Sequence, residues 1–268
     1  MKLQHTLLAA ALLPAFAAAA PDTDGETVRK LIERHYNRPF PAQKCQLTAP
    51  PKDSYQQPEN FAYCMKPAAA HTVNRNGKTT RYVLYTGFAY DTREKRKDES
   101  HAASGLAELF VLEKTGGTWV LKQHGRSEIG AWGEPPQEWR FVQVGGQNWG
   151  YQTESGYTNQ GVTETAQSFI FTDNNGVAHS DIPASNDNGG MYGDCNEYKG
   201  AEKRSCQNSQ TSLEAEITFN RAAEHNGVWE IQAVLSGRAG KTRYAKQKYA
   251  MPYNSGKRSH LIPKNYPI

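Results

Sequence analysis

The chain carries Leu106-Ala-Glu-Leu-Phe-Val-Leu-Glu113, followed by Thr118-Trp-Val-Leu-Lys-Gln123, Trp139-Arg-Phe-Val-Gln-Val144, Trp149-Gly-Tyr-Gln152 and Ser168-Phe-Ile-Phe-Thr172. These segments are short and rich in β-branched or aromatic residues, and Gly-Gly, Pro-Pro and Asn-Gly pairs occur in the same stretch. This combination is typical of strands connected by tight turns. The stretch therefore predicts a sheet around which the rest of the chain is arranged.

Further hairpins are predicted on both sides of this stretch. Four Asn-Gly dipeptides, which begin at positions 76, 175, 188 and 226, favour the two-residue turns of antiparallel hairpins. The additional strands are expected at Val73–Asn76, Arg81–Tyr90, Ser212–Phe219, Val228–Leu235 and Thr242–Tyr249. We therefore expect a mostly β protein, α+β at the margin, whose antiparallel strands form one large curved sheet or two packed β modules.

One helix is predicted near the N-terminus, over residues 25–37. Thr23-Asp-Gly-Glu26 has the spacing of a capping box, and Pro39 ends the helical pattern. A single stripe of the helix carries Val28, Leu31, Ile32 and His35. Such a stripe predicts that the helix covers one face or edge of a sheet.

The predicted domain organisation has three parts. Residues 1–20 are a signal peptide, 21–130 hold the helix and a first β module, and 131–268 hold a second β module, unless both modules form a single domain. Ala107-Glu-Leu-Phe-Val111 before Trp119 resembles Ala215-Glu-Ile-Thr-Phe219 before Trp229. This similarity indicates either a duplicated module or a chance likeness between two hairpins.

The first twenty residues have the features of a secretory signal. A short polar start with Lys2 and His5 precedes the apolar run Leu7–Ala20, which Pro14 interrupts and which is too short to span a bilayer. The alternative is an uncleaved anchor. We expect cleavage after Ala19 or Ala20, a mature chain without a transmembrane segment, and a periplasmic or secreted location.

The four cysteines indicate disulfide bonds in an exported chain. They are Cys45, Cys64, Cys195 and Cys206, and the local pairing Cys45–Cys64 with Cys195–Cys206 is favoured because each bond closes a short polar loop. A zinc site built on thiolates would favour close spacing such as C-x-x-C, which is absent.

Several function classes are disfavoured by the composition and the motifs. The formal net charge of +4 does not require a nucleic-acid partner. No G-x-S-x-G pentapeptide is present, and the two Gly-Lys-Thr triplets lack the first glycine of a Walker A loop. We therefore predict no catalytic residue and no nucleotide site.

Metal binding is not predicted from the sequence. The histidines are scattered without H-x-H or H-E-x-x-H spacing, which leaves open only a site assembled in space. The loop Asn186-Asp-Asn-Gly-Gly190, with Asp181, Asp194 and Glu197, offers oxygen ligands for calcium but fails the EF-hand spacing. We expect no cofactor, with calcium in this loop as the alternative to an ordinary disulfide-bonded turn.

An aromatic segment is the first candidate ligand site. Trp132, Trp139, Trp149 and Tyr151 lie among Gly, Gln and Asn residues. Flat rings can stack on a sugar or hold an extended peptide while the amides donate and accept hydrogen bonds. The alternative is that these rings belong to the core.

A basic strand near the C-terminus is the second candidate. Tyr244, Lys246 and Lys248 are expected on one face of an extended segment, in a region from Ile231 onward that has no Asp and no Glu. Such a strand fits an anionic envelope component or an acidic protein. The alternative is an edge strand that lysines protect from aggregation.

The sequence therefore predicts an exported cell-envelope protein that binds a protein or an envelope polymer and has no catalysis of its own. One alternative is an envelope hydrolase acting on glycan, with Glu134 or Glu138 in an aromatic cleft and Glu128 nearby. The other is a structural or assembly accessory protein.

Overall fold

The computed structural model describes residues 23–36, 38–52, 54, 60–101 and 103–268. The predicted signal peptide lies outside these residues. Strands make up 60% of the protein and helices 14%, which confirms the mostly antiparallel β fold with one N-terminal helix. Two short helices accompany that helix. Within the described ranges, no helix has the length and apolarity needed to cross a membrane.

The first sheet is formed by the N-terminal half of the chain. It has the order β1-β2-β3-β4-β6-β7, and β5 pairs with β4 beside that path. Helix α1, Thr23–Tyr36, precedes it. The strands are β1 Pro39–Phe40, β2 Cys45–Thr48, β3 Phe61–Arg75, β4 Lys78–Asp91, β5 Arg96–Lys97, β6 Gly105–Thr115 and β7 Thr118–Ile129.

The second sheet is a meander in which each strand pairs with its neighbours in sequence, in the order β14 to β8. Its strands are β8 Arg140–Gln143, β9 Trp149–Asn159, β10 Val162–Asp173, β11 Gly176–Asp187, β12 Thr211–His225, β13 Val228–Ala239 and β14 Thr242–Met251. Helices α2, Gly189–Tyr192, and α3, Gly200–Ser209, lie between β11 and β12. The small pair β15, Tyr253–Asn254, and β16, Ser259–His260, follows.

Three of the four Asn-Gly pairs lie at hairpin turns, as the sequence predicts, and the pair Asn175-Gly176 lies where β10 turns into β11. Asn76 and Gly77 connect β3 to β4, and Asn226 and Gly227 connect β12 to β13; all four have φ between 49° and 80°. Positive φ at both central residues defines a type I′ turn, in which Asn and Gly are the favoured residues. Asn188-Gly189 is different, because Asn188 precedes α2 and makes no hairpin turn.

Helix α1 packs on one face of the first sheet. Val28 and Ile32 are buried against the sheet residues Tyr63, Tyr85 and Phe110. This confirms the predicted stripe and its role as a cover for the sheet. The helix ends before the prolines at 39 and 41, as the sequence predicts.

The opposite face of the first sheet packs against the second sheet. Leu84 and Leu109 of the first sheet share one cluster of buried side chains with Ile170 and Tyr151 of the second. A Cβ atom on Gly125 would overlap with the side chain of Val177, so the two layers are in direct contact at that point. The far face of the second sheet is covered by the C-terminal segment, which includes β15 and β16.

Both predicted disulfides are confirmed. The Cys45–Cys64 bond joins β2 to β3, and the Cys195–Cys206 bond joins a 3-10 turn to α3. The segment from Asp181 to Gln210 contains the end of β11 and helices α2 and α3, neither of which the sequence predicts. Helix α3 lies on the surface and has no buried residue. The Cys195–Cys206 disulfide attaches it to the preceding turn.

Candidate functional site

A cleft of about 410 Å³ opens where the end of β7 meets strands β9, β10 and β11. Its volume lies within the range typical of sites for small molecules and side chains. Small residues make up much of its wall, which lets a ligand approach the backbone closely. They are Ser104, Gly130, Ala131, Ser155, Gly156, Ala166, Ser168 and Ser185.

Three carboxylates line this cleft: Glu128 on β7, Glu164 on β10 and Asp181 on β11. Among the described residues that line it, none is Lys, Arg or His. The lining is therefore acidic, although Asp181 Oδ1 contacts His179 Nε2 at 3.1 Å and the whole chain has a formal net charge of +4. A positively charged group is the ligand that such a lining attracts.

Neighbouring side chains hold two of these carboxylates in place. Glu128 Oε1 accepts hydrogen bonds from Ser54 Oγ at 2.5 Å and from Tyr63 Oη at 2.7 Å. Glu164 Oε2 accepts one from Tyr157 Oη at 3.0 Å, and its Oε1 accepts one from Asn186 Nδ2 at 3.0 Å. Both carboxylates are thus oriented by the protein itself.

Strand register brings together the group around Glu164. Glu164 pairs with Tyr157 across β9–β10 and with Asn186 across β10–β11. Directly paired residues on one face of a sheet lie close enough for their side chains to interact. The hydrogen bond to Glu164 raises the pKa of Tyr157, whose ring is 49% exposed.

The predicted aromatic site is not a single exposed patch. Tyr151 is buried between the sheets, where its hydroxyl donates to the carbonyl of Tyr82 at 3.0 Å. Trp149 stacks on Phe141 with ring planes 6° apart, and Trp139 packs against the same cluster. The cause is the packing of the two sheets, which encloses this part of β8 and β9.

Trp132 is the exception among these rings. It is 44% exposed and has φ of 59° in the turn after β7. It directly follows Ala131, which lines the cleft. The indole therefore lies on the surface beside the cleft, next to the ring of His101.

The basic strand forms the edge of the second sheet, as β14, but its predicted face is wrong. Tyr244 packs against the core cluster, whereas Lys246 lines a polar groove on the other side of the sheet. The register shifts between Leu235 and Gly237, and Lys246 has φ of 56°. This bulge adds a residue to β14, so Tyr244 and Lys246 no longer share a face.

The carboxylates that the hydrolase alternative names lie in different places. Glu134 forms an ion pair with Lys97. Glu138 lies with Glu154 and Trp139 along a shallow groove of about 530 Å³ beside β8 and β9. Glu128 alone of the three lines the cleft between the sheets.

Two acidic residues of the loop that offers the calcium alternative cap turns. Asp187 Oδ1 accepts from the backbone N–H of Gly189, and Asp194 Oδ1 accepts from that of Asn196. In the part of the chain that the structure describes, no three of these carboxylates gather as a ligand group.

A group that the sequence analysis does not single out is His35, Glu108 and His124. Their donor atoms all lie within 4.8 Å of one another. Two signals were available in the sequence: His35 on the inward stripe of α1, and Glu108 inside an otherwise apolar strand. His124 follows only from the strand register, which pairs it with Phe110, two residues after Glu108.

Comparison with protein-family models, with curated proteins and with solved structures finds no match to this chain.

Proposed function

We propose that this chain is an exported binding protein that takes a positively charged segment of a partner polypeptide in the cleft between its two sheets. One observation carries the proposal: Glu164 and Asp181, with Glu128 at the rim, line the cleft, and the described lining has no basic side chain. Two disulfides support an oxidising compartment, in which such bonds persist.

The lining fits a lysine or arginine side chain on an extended peptide. Glycine, alanine and serine side chains leave room for a peptide backbone, and the oriented carboxylates accept hydrogen bonds from an ammonium or guanidinium group. Tyr157 and Trp132 provide exposed ring surface beside the cleft. Cations and apolar side-chain stems both bind well to such rings.

The test measures binding of fluorescent oligolysine and oligoarginine peptides to the protein by anisotropy. We expect Glu164→Gln to weaken binding by about three- to tenfold, because one charge-assisted contact is lost. Glu94→Gln is the matched control: it removes the same charge from an exposed turn residue that does not line the cleft. Equal affinity for both variants would contradict the proposal.

An acidic peptide separates this proposal from one based on the edge strand. If oligoglutamate binds and Lys246→Gln with Lys248→Gln abolishes that binding, β14 is the binding surface and the cleft is not. Oligoglutamate should otherwise bind poorly. Binding of the basic peptides should weaken as salt rises, because the contacts are between charges near the surface.

Glycan hydrolysis is the second candidate function, and the groove beside β8 and β9 favours it. Glu138, Glu154 and Trp139 share this groove, which is the combination of two carboxylates and an aromatic ring that glycan cleavage uses. Release of reducing ends from cell-wall glycan by the wild type, lost in Glu138→Gln, would establish this activity. No release would leave binding as the function.

A further inference from the structure

Three side chains of types that bind transition metals converge where α1 packs on the first sheet. His124 Nδ1 lies 3.2 Å from Glu108 Oε1, and His35 Nε2 lies 3.7 Å from the same oxygen. The three come from α1, β6 and β7, and they lie on the α1 side of the sheet, opposite the face that packs on the second sheet. The group is therefore separate from the cleft described above.

The spacing of these atoms fits a tetrahedral metal ion. Zinc binds histidine nitrogen and carboxylate oxygen at roughly 2.0–2.2 Å, so two ligand atoms of a tetrahedral site lie about 3.3 Å apart. The two distances to Glu108 Oε1 bracket this value. The third separation, between the His35 and His124 nitrogens, is at most 4.8 Å, so a rotation of the imidazoles would complete the site.

Glu108 is buried without a full set of partners. Its side chain is 2% exposed, and its second oxygen, Oε2, has no hydrogen-bond partner in the described structure. The buried hydroxyl of Tyr36 lies beside this carboxylate without forming a well-placed hydrogen bond; burial first, and then the charge of Glu108 and the contact with it, raise the pKa of Tyr36. A buried carboxylate needs compensation by a cation or by hydrogen bonds.

The arginine closest in strand register, Arg126, does not compensate the charge of Glu108. Arg126 pairs with Glu108 across β6 and β7 in the strand register. Its guanidinium instead donates to Thr48 Oγ1 at 3.0 Å and to the carbonyl of Ala49 at 3.0 Å. Besides the Tyr36 hydroxyl, the groups that lie within ion-pair distance of Glu108 are therefore the two histidines.

We propose that His35, Glu108 and His124 form a binding site for a divalent transition-metal ion, with zinc as the expected occupant. Three protein ligands leave one coordination position for water or another ligand. That position can be reached from solvent, since the side chains of His35 and His124 are 33% and 45% exposed. Two imidazoles favour zinc, nickel and copper over calcium and magnesium, which prefer oxygen ligands.

Such a site has a mechanical role within the fold. His35 belongs to the last turn of α1, whereas Glu108 and His124 belong to the sheet beneath it. A bound ion would therefore tie the end of the helix to two strands. We expect added zinc to raise the melting temperature, because a ligand that binds only the folded state stabilises that state.

The experiment uses protein without a histidine tag, stripped of metal by EDTA and then dialysed. Zinc is titrated in competition with a chromophoric chelator, and melting is followed with and without zinc. We expect one equivalent to bind and the melting temperature to rise. His35→Ala, His124→Ala and Glu108→Gln should each weaken binding by at least about 30-fold and remove the thermal shift. His225→Ala, an exposed histidine elsewhere, should behave as the wild type.

Cobalt gives an independent readout of the geometry. Addition of Co²⁺ to the wild type should produce the visible absorption of a tetrahedral site, and His124→Gln should lose it. Circular dichroism confirms that each variant is folded before it is scored. The proposal is overturned if the wild type binds no zinc, or if folded His35→Ala and His124→Ala bind zinc as tightly as the wild type does.

Discussion

Acid should destabilise this protein through one buried histidine, His260. Its side chain lies under the second sheet, where Nε2 contacts the carbonyl of Trp229 at 2.9 Å and Nδ1 contacts Ser180 Oγ at 2.9 Å. The carbonyl requires a donor, so Nε2 carries the proton and Nδ1 accepts from the serine. Burial lowers the pKa of His260 to about 4, against the small opposing effect of the carbonyl.

The sign and the size of the effect follow from this shift. The unfolded chain has a histidine of pKa about 6.5, so it takes up a proton before the folded protein does as the pH falls. Stability is therefore unaffected by His260 above pH 6.5 and is lost progressively between pH 6.5 and about 4. Linkage over this window gives a loss of about 2 kcal/mol between pH 7 and pH 5.

Urea unfolding at pH 7, 6 and 5 measures this loss. His260→Gln keeps a donor and an acceptor at the site but cannot titrate, so its stability should fall about 2 kcal/mol less than that of the wild type over the same range. His225→Gln, which changes an exposed histidine, should follow the wild type. An equal loss in the wild type and in His260→Gln would refute the reasoning.

Two further predictions concern the framework of the fold. Replacing Cys45 and Cys64 together by Ser should lower the free energy of unfolding by about 3 kcal/mol, since the bond closes a loop with a sequence separation of 19; urea unfolding without reductant checks this, and an unchanged value would contradict it. Tyr151→Phe should cost about 1 kcal/mol, because it removes the hydrogen bond that links the two sheets through Tyr82. Tyr157→Phe, at an exposed ring, is the control and should cost less in the same assay.

Local signals in the sequence were sufficient for most of the hairpins and the first helix, but residues 61–72 of β3 and helix α3 were not predicted. The hairpin turns at Asn76 and Asn226 require positive φ at two successive positions, and Asn-Gly supplies it. The apolar stripe of α1 predicted that the helix covers a sheet. The even number of cysteines and their short separations predicted two local disulfides. Each of these features depends on residues that are close in sequence, so local sequence patterns can predict it.

Contacts between the layers could not be predicted in the same way. Periodicity shows that Tyr151 points to one face of its strand, but not that a second sheet packs on that face. No glycine or other turn residue in the sequence predicts the bulge at Lys246. The bulge places Tyr244 on the face opposite to that of Lys246.

The candidate sites were least accessible to sequence reasoning. Glu128, Glu164 and Asp181 belong to three strands, and their presence in one cleft depends on how the two sheets meet. His35 and Glu108 are separated by more than seventy residues, and the strand register then adds His124. No spacing rule in the sequence encodes such groups, although a carboxylate inside an apolar strand is a signal worth following in other chains.

The two meanders have a consequence for how the protein is made. Nearly every strand pairs with a neighbour in the chain, and the polypeptide moves from one sheet to the other once, between Ile129 and Arg140. Neither disulfide crosses that point. The strands of the N-terminal half can therefore pair, and its disulfide can form, before the C-terminal half folds. The native disulfides can then form without thiol–disulfide exchange between the two halves.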